Sequence, residues 1–210
     1  MAELTVTGLP TLLRGQKFVS ADGVVHGARL ERKRADVEKL GDWDWFDNPF
    51  VGQRELNGLR VMMSLLNNWD LKQDNNSIYL VSGERRYWVS DAGATFGKTG
   101  NKSTRSKGVP KHYEESKFIA KVTPDLIDFV LHSRPLFLSA VAVSNYRERT
   151  RMEQITRQIP RADARWLGLR LSKLRAEQIR DGFRAAGYHA GDVETLTNTI
   201  RQRIAALKAL

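Results

Sequence analysis

A chain of 210 residues that is 41% hydrophobic has the length and apolar content for one ordinary domain with a buried core, which excludes a disordered tail. It contains no Cys, so disulfides, thiolate metal sites and a cysteine nucleophile are excluded, and any metal must be held by oxygen or His. The 34 Lys and Arg outnumber the 24 Asp and Glu to give a net charge of +10, which favours partners that carry phosphate.

No run approaches the roughly 18 apolar residues of a membrane-spanning helix, and Met1, Ala2, Glu3 and Leu4 do not open a basic segment followed by an apolar one. The expectation is a cytoplasmic protein with no membrane span.

In chain order, extended runs at 17–20 and 24–31 flank Ala21-Asp22-Gly23, and Asp-Gly between two such runs predicts a β-hairpin. The stretch 41–49 reads as a loop anchored to a core by Trp43, Trp45 and Phe46; Asp42, Asp44 and Asp47 among them argue against a platform for stacking nucleic-acid bases. Leu56, Leu59, Met62, Met63 and Leu66 recur at helical spacing and predict a helix over 55–67. Runs rich in β-formers at 77–81 and 87–90, separated by Ser82, Gly83, Glu84, Arg85 and Arg86, predict a second hairpin.

The polar, Lys-rich stretch 97–117 is expected to be a mobile loop. Helices are expected at 123–132, 148–157, 161–173, 176–187 and 191–208, with Thr123-Pro124 as an N-cap and first turn and Gly187 as a stop. Arginines recur at helical spacing between Arg147 and Arg184 with Glu148, Glu153, Asp163 and Glu177 among them, as on a solvated face of local ion pairs. His26, His112, His132 and His189 are scattered with no i, i+4 pair, so they read as surface or capping residues rather than a metal cluster. Gly97-Lys98-Thr99 matches the end of a phosphate-binding P-loop but lacks the earlier Gly at the required distance.

One constellation carries chemistry. Asp70, Leu71, Lys72, Gln73, Asp74 and Asn75 are followed, across the second hairpin, by Asp91, Ala92 and Gly93. Asp, Asn and Gly also form ordinary turns, so either segment alone is weak evidence. Together they supply a carboxylate for a hydroxyl proton, an amide oxygen and a second carboxylate for Mg²⁺.

The pair resembles the catalytic loop, His-Arg-Asp-Leu-Lys-x-x-Asn, and the Asp-Phe-Gly turn of protein kinases. The resemblance covers 50–210 and implies an α+β fold: a mainly helical kinase-like C-lobe with a β-hairpin at the catalytic site, preceded over 1–49 by a short β-hairpin segment in place of a full N-lobe. It implies Mg²⁺ and ATP as cofactors and phosphotransfer to an unidentified protein or small-molecule acceptor. Asp70 would orient or deprotonate the acceptor hydroxyl, Lys72 would neutralise the transferred phosphoryl group, Asn75 and Asp91 would hold Mg²⁺, and Gly93 would let the backbone turn after Asp91. Asn76 is the spare ligand if the register slips by one.

The chain departs from the protein-kinase pattern at Asn68, Trp69 and Ala92 and has no Ala-Pro-Glu, Gly-x-Gly-x-x-Gly or Val-Ala-Ile-Lys. Those departures are similar to HipA-type, lipid and secretory-pathway kinases, and they leave Lys17 or Lys33 to reach phosphate from upstream. A truncated or inactive relative is the corresponding alternative. The rival from another class is a DNA-binding helix-turn-helix over 176–188 and 192–204 with Arg201, Arg203 and Lys208. Asp192 and Glu194 stand where such a helix reads bases and would repel phosphate, so nucleic acid is not the expected partner.

Overall fold

Gly23, at φ 81°, closes the first turn: its N–H donates to Ser20 O at 3.0 Å, and Ser20 N–H to Val24 O at 2.9 Å, in a computed structural model that describes residues 3–5, 16, 19–26, 34, 36–100, 102 and 104–210. Val19 bridges Val25 across this turn, and β2 (Val24–His26) also pairs antiparallel with β1 (Glu3–Thr5). The rest of the expected first hairpin, 17–18 and 27–31, lies outside the described residues, as do Lys17 and Lys33. The chain divides into two units, Met1–Glu38 and Lys39–Leu210.

The larger unit is α+β. Strand β3 (Val37–Gly41) leads into it, followed by the aromatic loop and α1 (Arg54–Leu65). The second hairpin forms as β4 (Asn76–Val81) and β5 (Glu84–Val89), paired from Asn76↔Val89 to Val81↔Glu84, with sheet order β3-β4-β5. A short helix α2 (Pro110–Glu114) precedes a second antiparallel sheet of β6 (Ile119–Val122), β7 (Leu126–Phe129) and β8 (Ile159–Pro160). Helices α3 (Leu136–Val141) and α4 (Val143–Ile155) lie between β7 and β8, and α5 (Arg161–Leu171), α6 (Ala176–Ala185) and α7 (Ala190–Lys208) complete the chain. No helix among the described residues is long and apolar enough to cross a membrane.

Two expectations are corrected. The segment 123–132 holds a turn and strand β7 at Leu126–Phe129, not a helix: Thr123 Oγ1 accepts the Leu126 N–H at 3.0 Å and Thr123 N–H donates to Leu126 O at 2.9 Å, so the threonine closes a turn between β6 and β7. A threonine oxygen taking an N–H three residues on serves a helix cap and a tight turn equally, and the alternating burial of Leu126 to Phe129 decides for the strand. The stretch 97–117 is packed, not a free loop. A Cβ on Gly97 would lie 2.4 Å from Ser106 O, one on Gly100 would lie 2.5 Å from the Arg134 carbonyl carbon, and Tyr113 of α2 is fully buried.

The core is two clusters that share α1. Val61 and Leu65 of α1 face Tyr113, Phe129 and Leu196, while Leu56 and Met63 face Trp43, Trp45, Leu71 and Ile155. Trp43 and Trp45 are buried as expected, with ring centroids 4.8 Å apart; Phe46 stays exposed beneath the Arg151 guanidinium, 5.7 Å from its ring centroid. The aromatic loop also braces the segment after α1 and the β4–β5 hairpin. Trp45 Nε1 donates to Leu71 O at 3.1 Å, Trp43 Nε1 to Trp88 O at 3.0 Å, and Asn76 Nδ2 to Trp43 O at 3.1 Å.

Candidate functional site

The end of α1 sets the site's geometry. Asn67 takes φ 55°, a left-handed conformation that Asn tolerates better than most residues, and its buried amide donates to Gly97 O at 2.8 Å. Asn68 is fully buried; its Nδ2 donates to Asp91 O at 3.4 Å and its Oδ1 accepts the Asp70 N–H at 3.3 Å. Trp69 N–H donates to Ala94 O at 3.3 Å, and Trp69 Nε1 to Ser106 O at 2.9 Å. Leu71, buried in the second cluster, pins the loop between Asp70 and Lys72.

From there Asn75 closes the loop on itself. Its Nδ2 donates to Asp70 O at 2.8 Å, and its own carbonyl accepts the Ser90 N–H at 2.7 Å just before Asp91. The two motif segments, sixteen residues apart in sequence across the β4–β5 hairpin, are thus tied to each other through Asn68, Trp69 and Asn75. Lys72 Nζ lies 3.5 Å from Asp70 Oδ1, and both side chains remain partly exposed.

Asp91 is exposed, with Oδ1 accepting the Gly93 N–H at 2.7 Å. Gly93 does not occupy the left-handed region; a Cβ there would sit 2.9 Å from that same Oδ1, so a larger residue would displace the exposed carboxylate from this turn. Asp91 Oδ2 and Asn75 Oδ1 make no hydrogen bond within the described protein. Asn76, the spare candidate, is fully buried against Trp43 O and is withdrawn from the exposed edge.

No group of three or more His, Asp and Glu side chains able to hold a metal occurs among the described residues. One carboxylate and one amide oxygen nevertheless suit Mg²⁺, which keeps several waters and takes further oxygens from phosphate rather than from an all-protein cage. The hairpin's other face is aromatic. By register, Ser77, Tyr79, Arg86 and Trp88 share the face opposite Ile78, Tyr87 and Val89, and the Tyr79 and Trp88 rings lie 4.6 Å apart with Trp88 41% exposed.

Two arginines brace the loop: Arg105 carries no signal in the sequence, and Arg203 reads there only as a phosphate-facing residue of the rival DNA-binding helix. Arg105 stacks on Trp69, 4.0 Å from the ring centroid, and donates to Ser133 O. Burial and the nearby Arg134 lower its pKa, and the charges of Asp70 and Glu148 oppose them. Arg203 of α7 is buried 4.0 Å from the Tyr113 ring centroid and donates to Leu65 O at 3.0 Å, Asn67 Oδ1 at 2.9 Å, Tyr113 O at 3.0 Å and Ser116 O at 3.1 Å. It ties the entrance of the Asp70 loop to α2 and α7. No motif marks it, because a single Arg on an amphipathic helix reads as surface.

Some of the remaining basic and imidazole groups are engaged by carboxylates or hydroxyls. His132 bonds Glu153, whose other partners are Arg149 and Arg157, and His112 Nδ1 lies 2.9 Å from Ser106 Oγ. His132 is therefore part of an ion-pair cluster rather than a surface or capping residue. His189 precedes α7 without capping it through its side chain, and the His26 side chain lies outside the described residues. On the C-terminal helix pair Arg180 bonds Glu194 at 2.7 Å, Arg184 bonds Glu177 at 2.5 Å, and Arg203 is withdrawn into the core. No protein-family model, curated protein or solved structure significantly matches the chain.

Proposed function

We propose that the edge formed by Asp70, Lys72, Asn75 and Asp91 is an Mg²⁺-nucleotide site and that the chain is a kinase-like phosphotransferase acting from ATP on an unidentified hydroxyl acceptor. The observation that carries this reading is the pairing of the two motif segments by Asn75 Nδ2 on Asp70 O at 2.8 Å and Ser90 N–H on Asn75 O at 2.7 Å. The two segments so joined would supply one proton-accepting carboxylate, one ammonium and two oxygen ligands for the ion. Asp70 would orient the acceptor hydroxyl and take its proton as the new O–P bond forms and ADP departs. Lys72 would offset the charge on the transferred phosphoryl group, while Asn75 Oδ1 and Asp91 would hold the ion that bridges the phosphates.

Tyr79 and Trp88 offer a face on which a purine could stack. Lys39, on β3 and paired with Asp42 at 2.8 Å, is a cation that could exchange that partner for phosphate in place of the third-strand lysine of protein kinases. Against the DNA-binding alternative stand the carboxylates that offset Arg180 and Arg184 and the burial of Arg203, which leave Arg201 and Lys208 as the exposed cations of that set.

Thermal unfolding tests the reading. Mg²⁺ with ATP is expected to raise the melting temperature of the parent chain, as a ligand at about 100 times its dissociation constant adds about 2.7 kcal/mol. Asp91→Ala is expected to abolish that rise. An unshifted parent would sink the nucleotide site.

A further inference from the structure

The chain's positive charge is unevenly offset. Arg134, Arg149, Arg157, Arg180 and Arg184 each meet a carboxylate. Lys98, Lys102 and Lys117 have no ion pair among the described residues, yet they line one cavity of about 430 Å³ together with Thr99, His112 and Glu115. Three ammonium groups against a single carboxylate leave this concavity strongly positive.

Two buried details say what the cavity would hold. Thr99, only 5% exposed, lines the cavity, and its hydroxyl makes no hydrogen bond within the described protein. Ser106 Oγ accepts the Lys98 N–H at 2.8 Å and lies 2.9 Å from His112 Nδ1. That contact engages Nδ1 and leaves Nε2 at the other edge of the ring. Donors and cations therefore converge on a volume typical of small-ligand pockets.

We propose that this cavity binds a phosphomonoester. Lys98, Lys102 and Lys117 offset its charge, Thr99 and His112 donate to its oxygens, and Glu115 accepts from hydroxyls of the group that carries the phosphate. An apolar ligand would desolvate three ammonium groups without compensation. None of Asp70, Asn75 or Asp91 takes part, so this inference stands whether or not the nucleotide reading does.

Isothermal titration of the full chain with inorganic phosphate and with glucose 6-phosphate, both without Mg²⁺, tests it. A parallel sedimentation arm compares phosphatidic acid vesicles with phosphatidylcholine vesicles. Saturable binding of the soluble esters is expected, weakened about tenfold or more by Lys98→Ala combined with Lys117→Ala, the worth of a charge-assisted hydrogen bond. Thr99→Val, close in shape to the parent, is expected to weaken binding with an unchanged melting temperature, and Asp91→Ala to leave binding intact. Binding confined to the phosphatidic acid vesicles keeps the phosphomonoester and assigns it to a lipid headgroup. No saturable binding in either arm overturns the proposal, as does indifference to the lysine substitutions or tighter binding of duplex DNA through the same lysines.

Discussion

Arg203 places a guanidinium inside the protein with no carboxylate partner among the described residues, and only carbonyl and amide oxygens answer its four hydrogen bonds. Desolvation lowers its pKa, with Tyr113 opposing. Arg203→Met would fill much of the space but leave Asn67 Oδ1 and Ser116 O without donors and take one of the donors from Leu65 O and Tyr113 O. At about 1–3 kcal/mol for each unsatisfied buried acceptor, a loss on the order of 4 kcal/mol is expected, read as a fall of roughly 10 °C in melting temperature. Tyr113 beside it carries a pH signature. Burial pushes the phenol from its usual 10 up to about 12, against the pull of Arg203. The folded state therefore binds that proton more tightly than the unfolded chain does. The resulting stability is whole below pH 10 and is lost as pH rises to about 12. Tyr113→Phe should cost about 1 kcal/mol at neutral pH through the lost bond to Leu65 O and flatten the alkaline limb, as denaturant titrations at stepped pH would show.

At the scale of elements, Glu153 of α4 holds its helix to the segment after β7 through His132, and takes Arg149 and Arg157 from its own helix. Burial pushes this carboxyl up, but the His132 bond and charge and then the two arginines outweigh it, and its pKa lies below the usual range. A depressed carboxylate stabilises the fold above its ordinary pKa and loses that contribution as pH falls through the folded value. Glu153→Gln should cost about 3 kcal/mol at neutral pH by taking the carboxylate from buried Arg149 and from His132, and the difference from the parent should shrink as both are acidified. The hairpins at Asp22-Gly23 and at β4–β5 were legible in the sequence because turn chemistry and strand propensity act within a few residues. So was α1, from its apolar spacing. The error at 123–132 has the same local origin, since Thr-Pro opens a turn as readily as a helix. The packing of 97–117 was not legible: Gly97 and Gly100 are glycines because backbone from elsewhere in the chain approaches them, and no local pattern records that.

Across the whole molecule, the positions of Asp70, Lys72, Asn75 and Asp91 could be read ahead of the structure because a short hairpin is the only thing between the two motif segments. The residues that support them could not. Arg203 reaches Asn67 across 136 residues, and Trp45 reaches Leu71 across 26. Arg105 joins the site only through the fold of its loop onto Trp69. Two regions of different chemistry, the carboxylate-bearing hairpin edge at Asp91 and the lysine-lined cavity at Thr99, could each draw ATP phosphates, one through Mg²⁺ and the other directly. The direct test of the nucleotide site is therefore its location. Mn²⁺ added with a non-hydrolysable ATP analogue to the ¹⁵N-labelled chain should broaden the Asn75 side-chain amide and the Asp91 and Gly93 backbone signals first, leaving Thr99 and Lys117 sharp. Broadening centred on Thr99 and Lys117, or none near Asp91, would contradict the account.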